Sequence, residues 1–174
     1  MGDVMKNLFP LLAIVLSLTS GCVHEAPLTT EHTLAIDPAL LGLWELIPAE
    51  AKGDPEKDRM VVMRWSDTEY VVQSHLGPEG DFFRAYPVEI GGHSLIQAEF
   101  LGNYFRDWYP PDKTFYPIIN YEIVEGILII RGLNPEVVDV EITDSAALRE
   151  AFLNNKDRSD LFTEPVHYRR VENK

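Results

Sequence analysis

Short stretches in which apolar and polar residues alternate recur along most of this chain of 174 residues. Residues 69–76 are typical, because every second side chain from Tyr70 to Leu76 would lie on one face of a strand. Turn-forming residues separate the stretches, and Gly91-Gly92 tolerates the positive φ angles of a two-residue hairpin turn. The alternation predicts strands at residues 43–47, 59–65, 69–76, 82–90, 93–100, 115–124, 127–131, 137–142 and 166–171.

One helix is indicated, near the C-terminus. Asp144 or Ser145 can accept hydrogen bonds from the unpaired N–H groups of its first turn, and Leu148, Ala151 and Phe152 then share one side. Parallel strands would need crossover helices of about a dozen residues, which the other connections lack. We therefore expect an all-β fold, an antiparallel up-and-down β-barrel of about eight or nine strands with one helix before the last strand. A two-sheet sandwich is the alternative.

An uncharged apolar run of 11 residues extends from Leu8 to Leu18, and the next four residues read Thr-Ser-Gly-Cys. A membrane-spanning helix needs roughly 20 apolar residues, so this run is typical of the central part of an export signal. The small residues before Cys22 resemble the bacterial lipobox, in which the cysteine is acylated through its sulfur and becomes the mature N-terminus. The alternative is an ordinary signal peptide with an incidental cysteine.

The lipobox resemblance implies a division of the chain. Residues 1–21 would be a lipoprotein signal peptide that is removed, and Cys22 would carry the palmitate-containing lipid that anchors the protein to a membrane. Val23, where an aspartate would favour retention, implies by analogy with Gram-negative lipoproteins the outer membrane, with the domain facing the periplasm. Residues 22–35 are polar and lack periodicity, which predicts a flexible tether ahead of a barrel domain at residues 36–174.

Cysteine count and charge exclude several classes of function. Cys22 is the only cysteine, which excludes disulfides within the domain, thiol catalysis and cysteine-ligated zinc. The formal net charge of −13 would repel phosphate backbones, so nucleic acid is not expected as a partner. The expected partners are the membrane, through the lipid anchor, and either a small apolar ligand or an envelope protein.

The start of the predicted domain contains Gly42 and Trp44 in a Gly-x-Trp pattern. This pattern resembles the opening of the lipocalin and calycin superfamily, whose members form β-barrels. In those proteins the tryptophan closes the narrow end of the barrel, and a basic residue of the last strand packs across its ring. The resemblance implies that role for Arg169 or Arg170, and it implies a small apolar or amphipathic ligand inside the barrel. An arginine over an indole is also favourable by itself, by about 0.5 to 2 kcal/mol.

Aromatic residues are concentrated between residues 104 and 116, among two prolines that would prevent a continuous ladder. This segment is predicted to be a long loop over one end of the barrel, where it would be a lid, a docking surface for a protein partner, or a hydrophobic plug. The candidate ligand-binding or partner-binding residues are Tyr104, Phe105, Trp108, Tyr109, Phe115 and Tyr116.

No catalytic or metal-binding motif stands out. The five histidines share no ligand spacing, and there is no His-Glu-x-x-His, nucleophile elbow or glycine-rich phosphate loop. We therefore expect no enzymatic activity, no metal and no cofactor. The leading hypothesis is a membrane-anchored lipoprotein that binds or carries a small apolar or amphipathic ligand in a lipocalin-like barrel. The alternative is an envelope assembly or inhibitor lipoprotein that binds another protein through residues 104–116.

Overall fold

The computed structural model describes residues 23–47, 58–76, 80–103 and 114–172. A 3₁₀ helix covers Pro38–Leu40, and one α-helix, α1, covers Ser145–Asn155. The strands are β1 Val23–His24, β2 Gly42–Leu46, β3 Arg59–Arg64, β4 Tyr70–Ser74, β5 Asp81–Ile90, β6 His93–Asn103, β7 Tyr116–Val124, β8 Ile127–Gly132 and β9 Val166–Arg170.

Eight of the described strands, β2 to β9, form a closed antiparallel barrel. Each strand pairs with the next one along the chain, and β9 pairs with β2, so that Trp44 lies opposite Arg170 and the ring closes. Helix α1 comes before the last strand. The prediction of an up-and-down barrel is therefore confirmed, and the sandwich alternative is wrong. Strand β1 stands outside the ring and pairs with the first two residues of β7.

The two ends of the barrel are built differently. At the closed end lie the 3₁₀ helix and the short turns of the hairpins β3–β4, β5–β6 and β7–β8. At the loop end the strands lead into four longer connections, and the last of them contains α1, which packs on the outer wall of the barrel with its C-terminal end beside His93. These connections are residues 47–58, 75–80, 104–115 and 133–165.

Two of the closed-end turns have the expected chemistry. Gly91 and Gly92 have φ angles of 60° and 87°, and Glu125 and Gly126 have φ angles of 52° and 80°. Two consecutive positive φ angles are the mark of the turn that matches the right-handed twist of a hairpin. Both hairpins were predicted from these residues.

The prediction of a strand at residues 137–142 is wrong. The Asn134 carbonyl accepts hydrogen bonds from the N–H groups of Val137 and Val138, each at 3.0 Å, and the Asp139 side chain accepts one from the N–H of Glu141 at 2.9 Å. Local bonds of this kind offer the backbone an alternative to a ladder. Val138 is still buried, so the apolar residues in this segment pack as turns on the outside of the barrel.

Two apolar cores lie on opposite faces of the barrel wall. The inner core fills the barrel and includes Trp44, Val62, Tyr70 and Leu128. The outer core lies between β5–β7 and α1, whose Leu148 and Phe152 are fully buried. Asp144 caps α1 by accepting a hydrogen bond from Ala147 N–H at 2.8 Å, as the sequence predicted. The other members of the outer core are Ala26, Leu28, Tyr86, Val88, Ile90, Leu95, Ile118, Leu133, Val138 and Leu161.

Residues 23–35 do not form the flexible tether predicted for residues 22–35. Ala26 and Leu28 are 3% and 0% exposed, and both belong to the outer core. The chain starts beside β7, runs down the outside of β6 and β5, and reaches the closed end at Ile36, whose N–H donates to Asp67 at 3.0 Å. We call residues 24–36 the strap. The prediction failed because the apolar residues that dock here, Ala26, Leu28 and Ile36, do not recur with the spacing of a strand or a helix.

Candidate functional site

Trp44 closes the base of the barrel. It is 0% exposed, and its Nε1 donates to the carbonyl of Leu40 at 2.8 Å. The guanidinium carbon of Arg170 lies 4.4 Å from the centre of the indole ring. The same guanidinium donates to the carbonyls of Ala39 and Leu41, at 2.5 and 2.6 Å. Arg170 therefore fastens the 3₁₀ helix over the end of the barrel and covers the indole at the same time.

Gly42 is required by this arrangement. Its φ of 135° lies in the region that favours glycine, and a Cβ at this position would come within 2.7 Å of Arg170 Nη1. The spacing of glycine and tryptophan in the sequence thus has a physical reason here. Arg169, the other candidate, points to the outer surface and forms an ion pair with Glu45 at 2.5 Å.

Tyr70 fills the closed-end half of the interior above Trp44. It is 1% exposed, and its hydroxyl accepts a hydrogen bond from Asp37 N–H at 2.6 Å. Burial raises the pKa of Tyr70 to about 12. The small residues Ala85 and Ala98 lie opposite each other on β5 and β6 and are also buried. This half of the barrel is a packed core.

The interior towards the loop end is more open. Six apolar or aromatic side chains pack against the inner core there and yet keep partial exposure to solvent. They come from six different strands, and we call them the vestibule: Met60, Val72, Phe83, Ile119, Ile130 and Tyr168. The ring of Phe83 packs edge to face against Phe100 at 5.5 Å. Burial raises the pKa of the Tyr168 hydroxyl.

Polar groups lie at the rim of the vestibule. Asp81 follows the same side of β5 as Phe83, and its Oδ1 accepts a hydrogen bond from Asn103 Nδ2 at 3.0 Å. Ser74 pairs with Asp81 across β4 and β5 and with Met60 across β3 and β4. An apolar recess with a few polar groups at its edge is the usual form of a small-molecule site.

Two cavities among the described residues lie at the closed end of the barrel. One is a surface depression of about 350 Å³ around the Gly91-Gly92 turn. The other is a groove of about 270 Å³ between residues 34–37, the β5–β6 hairpin and Tyr121. Neither opens at the loop end.

The predicted aromatic loop can be placed only in part. Tyr104, Phe105, Trp108 and Tyr109 lie outside the described residues, as does Cys22.

The two described members of the set, Phe115 and Tyr116, lead into β7 at the loop end. The carbonyl of Phe115 accepts a hydrogen bond from Phe100 N–H at 3.2 Å, and Tyr116 pairs with His24 of β1. Burial raises the pKa of Tyr116, which is half-buried on the barrel wall. The structure therefore brings β1 and the end of the aromatic segment together.

The attachment of the strap was missed from the sequence. Gln97 is 0% exposed on the outer face of β6; its Oε1 accepts from Leu28 N–H at 2.5 Å, and its Nε2 donates to Thr29 O at 3.1 Å and to the Tyr86 hydroxyl. Arg149 of α1 donates to Leu28 O at 3.0 Å. In the sequence Gln97 alternates with His93, Leu95 and Glu99 on the more polar face of its strand, so no sequence signal distinguishes it from a solvent-exposed glutamine.

A cluster of charged and hydrogen-bonding side chains holds the part of the strap that lies nearer the closed end. Glu69 Oε1 lies 2.5 Å from both His32 Nδ1 and Arg84 Nη2, and the His32 ring stacks on Tyr86 at 3.6 Å. Hydrogen bonding to Arg84 lowers the pKa of Glu69, and the bond from His32 lowers it further against the opposing effect of burial. Glu69 therefore stays ionised and links the strap to β5.

His24 is buried at the N-terminal end of the strap. It is 0% exposed, and neither ring nitrogen has a hydrogen-bond partner among the described residues. Burial lowers the pKa of His24, and the charge of Asp139 opposes that effect. The docked strap thus favours a neutral imidazole.

The described residues contain no group of three or more His, Cys, Asp or Glu side chains that could hold a metal ion. Within those same ranges, no helix is long and apolar enough to cross a membrane. No family model, no curated protein and no solved structure matches the chain. The geometry of the chain itself must therefore support any functional proposal.

Proposed function

We propose that this protein is a lipoprotein of the cell envelope, anchored through a lipid on Cys22, that binds a small apolar or amphipathic ligand in the vestibule. In this proposal the ligand binds inside the barrel, and Trp44 with Arg170 closes the base of the barrel. The proposal includes no catalytic step, no metal and no cofactor. It places the protein at the outer membrane, facing the periplasm, by the analogy with lipoproteins given above.

One observation carries the binding proposal. Six inward-facing apolar side chains from six strands keep contact with solvent above a filled base. Exposed apolar surface costs free energy of about 25 cal/mol per Å², and a ligand that covers it recovers that energy. Because these side chains face inward, a flat partner surface would not reach them as well as a small molecule would.

The rim and the overall charge favour a particular kind of ligand. Asp81 and Asn103 offer a carboxylate and an amide to a polar head group. The chain carries a formal net charge of −13, which disfavours an anionic head group. We therefore expect an apolar body with a neutral or cationic polar end.

Two methionines of β3 provide a matched test. Met60 faces the vestibule, and Met63 is 43% exposed on the outside of the same strand. Met60→Trp fills the vestibule and should weaken binding of the fluorescent probe N-phenyl-1-naphthylamine by about tenfold, or about 1.4 kcal/mol. Met63→Trp should leave the affinity within about twofold. Thermal melts of both variants check that Met60→Trp still folds, since overpacking costs about 1 to 3 kcal/mol.

Equal affinity of the probe for the parent protein and for both variants would contradict binding in the vestibule. In that outcome the alternative, an envelope module that binds another protein through residues 104–116, becomes the better proposal. Of those residues, the structure describes Phe115 and Tyr116, which are half-buried on the barrel wall.

A further inference from the structure

We propose that a groove at the closed end of the barrel is a second binding site, which takes a small organic cation with an ammonium group. The groove has a volume of about 270 Å³ and lies between residues 34–37, the β5–β6 hairpin and Tyr121 of β7. We call it the closed-end groove. The inference goes beyond the proposed function, since it depends neither on the vestibule nor on acylation of Cys22.

One wall of the closed-end groove is a row of polar side chains across three strands. Glu89 lies on the same face of β5 as the inner-core residue Ala85, and Ser94 lies on the same face of β6 as Ile96. Glu89 pairs with Ser94 across the hairpin, and the pairing of β6 with β7, continued by one position, places Ser94 beside Tyr121. A carboxylate, a hydroxyl and a phenol ring are therefore neighbours, with Cβ atoms about 5 Å apart.

Asp37 lines the groove opposite this row. Its backbone is fixed by Tyr70, whose hydroxyl accepts a hydrogen bond from Asp37 N–H at 2.6 Å. Its Oδ1 accepts from Ala39 N–H at 2.8 Å, while Oδ2 has no partner within the described residues. Burial raises the pKa of Tyr121, and the charge of Asp37 raises it further. The carboxylate of Asp37 therefore lies near the phenol of Tyr121.

The groove carries negative charge that no neighbouring cation balances. Nine residues line it; Asp37 and Glu89 are acidic and none is basic. In the part of the chain that the structure describes, neither carboxylate belongs to an ion pair. Lys156 packs against the adjacent turn at Gly91, but its Nζ lies 2.9 Å from Asp157. A cation between the two carboxylates would offset their mutual repulsion.

An ammonium group matches the polar groups of the groove in number and kind. It has three N–H donors, and the carboxylates of Asp37 and Glu89 and the hydroxyl of Ser94 are acceptors. The face of the Tyr121 ring attracts a cation as well. A metal ion fits less well, because calcium takes six to eight oxygen ligands and the groove offers only two carboxylates.

The rest of the lining sets the size of the ligand. Leu34, Ala35 and Pro87 present apolar surface beside the polar row. Apolar walls with a few polar groups that fix orientation are typical of small-molecule sites. A volume of about 270 Å³ accommodates a short hydrocarbon body, and we therefore expect a small primary amine.

Titration with 2-phenylethylammonium, followed by NMR, tests the site, and 2-phenylethanol is a neutral molecule of the same size. The full chain is studied in a neutral detergent. We expect saturable binding of the amine with a dissociation constant of about 1 mM or below, and binding of the alcohol that is at least about tenfold weaker. The amide signals of Glu89, Ser94 and Tyr121 should shift with the amine.

Two substitutions of exposed glutamates separate the groove from general attraction by an acidic protein. Glu89→Gln removes a carboxylate of the groove and should weaken amine binding by about fivefold. Glu125→Gln makes the same change of charge in the β7–β8 turn, also at the closed end but outside the groove, and should leave the affinity within about twofold. Both side chains are exposed, so neither change should disturb folding.

Two further variants test the space that the amine occupies. Ala35→Phe fills the closed-end groove from an exposed position without changing any charge, and should weaken amine binding by at least about tenfold. Met60→Trp fills the vestibule instead and should leave amine binding within about twofold.

Several results would overturn the proposal. Equal affinity for the amine and the alcohol, equal losses in Glu89→Gln and Glu125→Gln, or no saturable binding would each do so. Displacement of the amine by about 1 mM CaCl₂ would indicate a metal site instead. Loss of amine binding in Met60→Trp, with Glu89→Gln unaffected, would assign the amine to the vestibule, which overturns the second site and leaves the proposed function in place.

Discussion

Arg169 and Arg170 are adjacent residues with different environments, and this makes them a matched pair for mutation. Arg170 stacks on Trp44 and donates to two carbonyls of the 3₁₀ helix, whereas Arg169 forms an exposed ion pair with Glu45. Arg170→Ala should lower the free energy of unfolding by about 1 to 3 kcal/mol, since it removes a cation–π contact and two charged hydrogen bonds. Arg169→Ala should cost at most about 1 kcal/mol.

Urea denaturation of the two variants measures this difference. Equal losses of stability would show that Arg170 does not hold the base of the barrel. A larger loss for Arg169→Ala would contradict the assignment of the two side chains to opposite faces of β9.

The sequence could predict the residues of the base but not the choice between the two arginines. Gly42 and Trp44 form a recognisable pattern, and the structure explains their spacing. The side chain of Arg170 reaches Trp44 by passing close to Gly42, where a Cβ would collide with it. Neighbouring residues of a strand point to opposite faces, so a shift of one position in the register would exchange Arg169 and Arg170. The register of β9 against β2 depends on closure of the whole ring, which no local pattern encodes.

At the scale of elements, the strap should be weakened by acid. The pKa of Glu69 is lowered from its ordinary 4.5 by Arg84 first, so its stabilising contribution is present above pH 4.5 and is lost as the pH falls through the lowered value. The pKa of His24 is lowered from 6.5 by burial, so the undocked strap binds the proton more readily. Docking should therefore weaken as the pH falls below about 6.5 and weaken again below about 4.5.

Hydrogen exchange of residues 23–36 at pH 7.5, about 5.5 and about 4, corrected for the intrinsic effect of pH on exchange, checks this prediction. His24→Leu should remove the dependence between pH 7.5 and 5.5 and leave the part due to Glu69. Corrected exchange rates that are equal at all pH values would contradict the assigned roles of both groups.

The strands were predictable because each buries one face, and period-two alternation records this directly. The hairpin turns were predictable as well, since Gly91-Gly92 and Gly126 supply the positive φ angles that such turns need. Residues 137–142 alternate in the same way, but the bonds at Asn134 and Asp139 turn the chain instead. The strap has no period at all, because Ala26 and Leu28 dock singly and their polar partner, Gln97, is 69 residues from Leu28 along the chain.

At the scale of the whole molecule, the closed barrel follows from the order of its strands. Consecutive hairpins bring each strand beside the next, and pairing of β9 with β2 removes the two exposed edges. Barrel and sandwich share the same local pattern, so the sequence could not separate them. Closure gives the molecule one filled end and one end with partly exposed apolar side chains, which is the basis of the proposed function.

Native mass spectrometry of the protein extracted from its own membrane tests the central claim most directly. The account predicts a mature chain that begins at Cys22 and carries acyl groups, together with a non-covalent small molecule that is lost from Met60→Trp but kept by Met63→Trp. A mature chain that carries no bound small molecule, or one retained equally by both variants, would contradict binding in the vestibule.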